Sequence, residues 1–219
     1  SCFNTLVFAQ ISEYKHFKKG KYEKVEKGVN KVLSKDGNDA RANFVQGLLR
    51  NQKKYAAFNP ENAFHNFEKA SKYYNQIDEK TKLKLEKEGV VLDTIFFHRN
   101  ISFDLGLEYA CTVNTIIAYQ HFIDFYKGST SQRLIAVQKR DILAFQIAMK
   151  SNTEAAYIQF LTQYPNAAQL DSAIRYRDVC ALKTAKQKNS SEAIVQFIQK
   201  YPNSHLKFEA DREKNRLLF

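Results

Sequence analysis

The chain has no tryptophan, one methionine, three cysteines, three prolines and seven glycines in 219 residues. Average usage would supply roughly 15 glycines and roughly 11 prolines. Turn-rich β-sandwiches and barrels draw heavily on both residue types. Their shortage argues against an all-β fold, against collagen-like sequence and against a Gly-rich phosphate loop, and it favours helices joined by short turns. Cys2, Cys111 and Cys180 are odd in number and far apart, so they form neither a disulfide framework nor a metal signature. No apolar run approaches the ~20 residues of a membrane span. Reaction motifs are missing as well: there is no H-E-x-x-H, no G-x-S-x-G, no P-loop and no paired-carboxylate signature. His16, His65, His98, His121 and His205 fall at no metal-ligand spacing. The expectation is a protein that is not an enzyme, with no cofactor and no metal.

Positive charge, by contrast, is plentiful. Lys and Arg number 34 against 23 Asp and Glu, a net of +11, and 44% of residues are hydrophobic. The cations are spread along the chain and are mostly lysine, a solvated point charge without arginine's planar fork. The excess therefore reads as a solvated surface, and nucleic acid is not the expected partner.

The second half of the chain repeats. Phe122, Phe160 and Phe197 are 38 and 37 residues apart, each inside a segment of the type Ala118–Tyr126, Ala156–Tyr164 or Ala193–Tyr201. Tyr164-Pro165-Asn166 and Tyr201-Pro202-Asn203 continue alike, and the register extends through Ala136/Ala173/Ala210, Arg140/Arg177/Lys214 and Leu143/Cys180/Leu217. Such a period means stacked supersecondary units. Each unit reads as two helices. Ala156, Phe160, Leu161 and Tyr164 share one face, Pro165 stops the first helix, and Asn152-Thr153-Glu154 starts it. Cys180, standing where its neighbours have leucine, reads as a small buried hydrophobe and not a nucleophile. The Phe and Tyr rows read as core, and His121 as a surface position.

The first half has another spacing. Gly20 and Tyr22 lead into Val25, Val29, Val32 and Leu33, with Gly37 closing; a second unit opens at Ala40 with Gly47 in its first helix and Ala63, Phe67 and Ala70 in its second. This pattern resembles the tetratricopeptide repeat, which places a small residue in its first helix, a Gly-x-Tyr turn, and a small–aromatic–small set in its second. The first unit departs from it at Val25 and Val32, and the second has a longer loop near Asn59-Pro60. Residues 115–219 resemble the repeats of Gram-negative periplasmic and outer-membrane tetratricopeptide lipoproteins, including the assembly factor of the β-barrel insertion machine. The resemblance implies an all-α solenoid of about five to six antiparallel helix hairpins and a binding function without catalytic residues. It divides the chain into residues 11–76 (hairpins), 77–114 (an irregular helical connector) and 115–219 (repeats of period 37–38 that continue beyond the end).

The ends have their own readings. Residues 1–10 are expected to be the remnant of a signal peptide, with Val7-x-Ala9 before the cut, or else the end of an upstream helix. Cys2 as a lipidated residue is a further reading. The apolar Leu217-Leu218-Phe219 suggests a further domain or partner after Phe219, since a solenoid normally closes with a polar cap. The most suggestive polar feature is the basic row Arg140, Arg177 and Lys214 with Arg175 and Arg212 beside it. One reading is a ladder of solvated Arg–Asp pairs using Asp141 and Asp178; the other is a groove that docks an acidic peptide, an anionic glycan or a lipid headgroup. The functional expectation is a protein–protein interaction scaffold of the bacterial envelope, in the periplasm or at the outer membrane, with membrane association through a partner or an N-terminal lipid. The alternatives are a cytosolic basic repeat protein that binds RNA or an acidic regulator, and the regulatory N-terminal part of a larger enzyme or sensor.

Overall fold

The computed structural model describes residues 16–17 and 19–218; the expectations placed on residues 1–10, on Cys2 and on Phe219 lie outside the described residues. Those described form eleven α-helices and no strand, and neighbouring helices pack in sequence order. The fold is all-α and built of successive helix hairpins, the helical-repeat class the sequence pointed to. The chain divides into two compact units. One comprises the described residues up to Thr112 together with Tyr126–Gln132; the other comprises Val113–Phe125 and Arg133 onward.

In the first unit α1 (Tyr22–Leu33), α2 (Ala40–Arg50), α3 (Pro60–Tyr74), α4 (Glu79–Lys87) and α5 (Leu92–Val113) follow one another, the last residue of α5 belonging to the second unit. Gly20, at φ 66°, makes the turn into α1. Val25 and Val29 are buried one helical turn apart, whereas Val32 is exposed, so only half of the expected apolar run is core. α2 is the centre of this unit: eight of its 11 residues are buried. Its start is fixed by the Asp39 carboxylate, which accepts the Ala42 amide hydrogen bond at 2.6 Å. Gly47 lets α3 approach. A Cβ there would lie 2.6 Å from the Phe67 ring, and Phe67 is fully buried between the equally buried Ala63 and Ala70. α3 begins where Asn59 caps the Asn62 amide and Pro60 takes the first turn, a position that needs no amide hydrogen.

The second unit holds α6 (Ile116–Phe125), most of α7 (Thr130–Ser151), α8 (Glu154–Gln163), α9 (Leu170–Gln187), α10 (Ser191–Lys200) and α11 (Lys207–Arg216). Phe122, Phe160 and Phe197 are all buried, as expected of core. α8 and α10 end at Tyr164 and Tyr201, ahead of Pro165 and Pro202, and the turns close by Ala167 N–H to Tyr164 O at 3.1 Å and Ser204 N–H to Tyr201 O at 3.0 Å. The joint back to the next hairpin is equally regular. Asn114, Asn152 and Asn189 have φ of 50°, 48° and 48°, the left-handed conformation that asparagine tolerates better than other side chains. The next residue in each case, Thr115, Thr153 or Ser190, accepts the amide hydrogen bond three positions on and starts a new helix.

The same register runs back into residues 77–114. Gly106, Ala144 and Ala181 are spaced 38 and 37 apart, as are Ala110, Ala148 and Ala185, and all six are buried. Gly106 stands twenty residues before Tyr126, and a Cβ on it would overlap the Tyr126 ring. Ala181 stands twenty before Tyr201 in one core cluster. The second half of α5 thus carries the small residues that the next aromatic covers. The reach of the repeat into this segment was hidden because its Phe-x3-Tyr motif is absent there.

Candidate interaction surfaces

The basic row lies in the second unit, and the structure uses it unevenly. Arg140 Nε and its NH2 nitrogen donate to Asp141 Oδ1 at 2.9 and 2.7 Å, NH1 donates to Gln120 Oε1 at 2.7 Å, and the guanidinium sits 5.0 Å from the Tyr164 ring centroid. One repeat later Arg177 donates to Asp178 Oδ1 at 2.9 and 2.6 Å and lies 4.2 Å from the Tyr201 centroid. Asp141 and Asp178 are 4% and 0% exposed, so these are not solvated pairs. Adjacent positions on a helix point about 100° apart. The aspartate therefore turns inward while the arginine lies along the surface and covers the tyrosine of the next hairpin. In each triplet the ion pair lies within one helix and holds the guanidinium in place, and the cation–π contact joins α7 to α8 or α9 to α10.

Lys214 is held on its own helix by Asp211 at 3.1 Å. Arg175 and Arg212 remain exposed on α9 and α11. Of the five residues, two form junctions between hairpins, one makes a local pair, and two are open for contact. Cys180 is half-buried rather than buried, like Leu143 and Leu217 at the same register. Its Sγ donates to Asn152 O at 3.4 Å, and burial raises its thiol pKa, which lowers the thiolate fraction. His121 is exposed, its ring 5.8 Å from that of Phe125.

The first unit carries a feature that the sequence reading passed over. A groove of about 650 Å³ lies along α2 and α3. Gln46 and Asn66, which line it, belong to a row of side-chain amides that crosses three helices: Gln46 Nε2 donates to Asn30 Oδ1 at 3.2 Å, and Asn66 Nδ2 donates to Gln46 Oε1 at 3.2 Å. Beneath it, Asn43 is 1% exposed and anchors the row by donating to Gly37 O at 3.1 Å and Asp39 O at 2.9 Å. Arg50 closes one end, donating to Ala57 O at 3.0 Å and to Glu26 Oε1 at 3.4 Å. Glu26 also meets the buried Tyr55, whose phenol pKa is pushed up to about 12 by burial and then by that carboxylate. Lys69 and Lys72 are exposed along the α3 wall, with the Lys72 Nζ 5.3 Å from the Tyr73 ring centroid. The pattern is readable in retrospect: Asn62, Asn66, Lys69 and Tyr73 recur at i, i+4, i+7 and i+11, a single polar stripe on one helix face.

Elsewhere in this unit His98 sits against Phe44 and Phe67, with ring centroids 5.8 and 6.3 Å away, and burial lowers its pKa to about 4. Among the described residues no three His, Cys, Asp or Glu side chains gather as a metal site, and no helix is long and apolar enough to cross a membrane.

Fold and surface together define an all-α helical-repeat protein whose charged side chains serve hairpin junctions and one polar groove. No family model matches the chain, and no curated protein matches it in sequence.

Proposed function

We propose that the chain is a non-catalytic protein-interaction scaffold of the tetratricopeptide-repeat type, acting in a bacterial envelope complex for outer-membrane assembly or secretion. The observation that carries the scaffold reading is the division of labour among the repeat positions. The aromatic row, the arginines laid over Tyr164 and Tyr201, and Cys180 are all spent on holding one hairpin to the next. Helix flanks are left over, carrying Arg175 and Arg212 in one unit and the polar groove in the other. Stacked hairpins suit the docking of extended segments and other subunits. The envelope placement rests on the Val7-x-Ala9 pattern and on the resemblance of residues 115–219 to periplasmic and outer-membrane repeats.

The test is site-specific photo-crosslinking in cells that express the complete reading frame, with the photoreactive residue at position 175, 212 or 69. Discrete adducts with envelope proteins are expected. Adducts with RNA alone, or none at any position, reject the scaffold reading. Adducts with cytoplasmic proteins reject the placement.

A further inference from the structure

The outer face of α7 carries apolar side chains that packing within its unit leaves unused. At 100° per residue, Ile135, Gln138, Gln146 and Met149 lie within about 40° of Ile142 around the helix, and Lys139 and Lys150 within about 80°. All are exposed, Ile135, Ile142 and Met149 at 42%, 43% and 43%. The buried alanines of the helix, Ala136, Ala144 and Ala148, stand about 120° or more away from Ile142. Ile135, Ile142 and Met149 recur every seven residues, so they form one ridge about 21 Å long.

The surface continues onto α9. The exposed Tyr176 stacks on Tyr157 at 5.7 Å between ring centroids, and its ring lies 6.3 Å from that of Phe145 on α7. α9 therefore runs beside α7 with Tyr176 at the seam. Lys183 is exposed and falls within about 20° of Tyr176, on the same edge of α9. Arg175 points about 100° away from that edge and stands apart from this surface.

Every exposed charge here is positive. Lys139 and Lys150 border the ridge on one side and Lys183 on the other, and none of the three forms an ion pair among the described residues. The acid of α7, Asp141, is buried and bound by Arg140. On α9, Asp178 is likewise buried beside Arg177, and Asp171 stands in the first turn, about 140° around the helix from Tyr176.

Aliphatic side chains in single file between cations match an anionic bilayer surface. The ridge enters the boundary between headgroups and acyl chains, while lysine stems lie along the apolar layer and their ammonium groups reach phosphate. A second copy of the chain fits less well. It would set Lys139 and Lys150 against their own counterparts with no acid to receive them, and the ridge falls well short of the roughly 20–30 residues a side of a stable protein interface. Nucleic acid finds no stacking platform, because the ridge is aliphatic and Tyr176 already has one face on Tyr157.

We propose that this face, Ile135, Ile142 and Met149 with Lys139, Lys150 and Lys183, docks the folded chain directly on an anionic lipid bilayer. α7 lies in the plane of the headgroups and does not cross the membrane. The assignment is independent of the scaffold reading and goes beyond it.

The experiment is flotation of the full chain with phosphatidylcholine vesicles, alone or with about 30% phosphatidylglycerol. Binding to the anionic vesicles and little to the neutral ones is expected. Lys139→Glu/Lys150→Glu/Lys183→Glu should lower the partition coefficient about a hundredfold or more. Ile135→Ser/Ile142→Ser/Met149→Ser should lower it about tenfold or more. All six positions are exposed, so circular dichroism should be unchanged in both variants. The chain has no tryptophan, which makes Ile142→Trp a single reporter of immersion. Its emission should shift to the blue with anionic vesicles, whereas Gln196→Trp, exposed on α10, should not respond. This reporter keeps the test decisive even if a triple variant misfolds. Equal binding to the two kinds of vesicle, undiminished binding by either triple variant, or the same response at positions 142 and 196 overturns the assignment. So does failure to bind any vesicle. In that case protein adducts from a photoreactive residue at position 142 in cells would make the face a protein interface, and self-association abolished by Ile142→Ser would make it a dimer contact.

Discussion

Single residues in this protein have effects that their type alone does not foretell. Gly28 and Gly47 both sit inside helices, yet a Cβ on Gly28 meets nothing within 4 Å while one on Gly47 meets the Phe67 ring at 2.6 Å. Gly28→Ala should therefore stabilise by about 0.5–1 kcal/mol, the usual helix preference for alanine. Gly47→Ala should destabilise by about 1–3 kcal/mol, because Phe67 is fully buried and cannot swing away. Urea unfolding of the two variants checks the opposite signs. His98 adds a pH dependence. Its pKa falls from 6.5 to about 4 in the folded chain, so below pH 6.5 the unfolded state binds a proton that the native state refuses. Stability should be full above pH 6.5, fall as pH drops toward 4, and level off below, by no more than about 3 kcal/mol in all. Subtracting the profile of His98→Gln isolates this term; an unchanged slope between pH 6.5 and 4 would show that the ring is solvated. The Gly47–Phe67 contact was legible, since glycine and aromatic stand at the positions of a close-packed hairpin. The burial of His98 was not. Its register partners Ala136, Ala173 and Ala210 are all buried, but nothing in the order of residues says that a histidine would replace an alanine in the core.

Where one hairpin meets the next, the binding energy is concentrated in a few repeated side chains. The Asp178 carboxylate is wholly buried, and among the described residues Arg177 supplies its only hydrogen bonds, through Oδ1, while its Oδ2 finds no hydrogen-bond partner there, with His205 Nδ1 4.0 Å away. Removing the arginine leaves a buried charge without its partner, so Arg177→Leu should cost about 3 kcal/mol or more. The double variant Arg177→Leu/Asp178→Leu should recover most of that loss, because an apolar pair needs no compensation in the interior. Full additivity of the two single variants in thermal unfolding would contradict this coupling. The left-handed asparagines make a second, smaller contribution. At φ 48°, Asn152→Gly should be nearly neutral and Asn152→Ala should lower stability by about 1 kcal/mol or more; equal melting temperatures for the two would mean the turn relaxes. The aromatic rows and the Tyr-Pro turns announced these hairpins in the sequence, because periodic apolar residues and proline act locally. The Asn-Thr and Asn-Ser joints are equally periodic, and Asn152-Thr153-Glu154 reads as a helix start, but the left-handed turn ahead of it does not. Asparagine signals a left-handed turn only once its backbone angle is known. The basic row was seen but its destination was not: whether an arginine faces solvent or a neighbouring tyrosine depends on how two helices pack, which spacing alone does not fix.

Among the described residues the most extensive helix–helix contacts join neighbours in the chain: α1 with α2, α2 with α3, α8 with α9, α9 with α10, and α10 with α11. Proteins of this construction gain stability by accumulating local interfaces, and loss of one interface is felt first by the elements beside it. The two compact units have separate clusters of buried side chains, Phe44, Leu49 and Phe67 in one and Ile194, Phe197 and Ala210 in another. A lesion at the α9–α10 junction should accordingly remain confined. In Arg177→Leu, native-state hydrogen exchange should rise in α9, α10 and α11, while the amides of α2 and α3 keep the protection they have in the unaltered chain. A loss of protection spread evenly from α1 to α11 would mean that the chain unfolds as one cooperative block. The interfaces between neighbouring helices would then not be the units in which stability is stored.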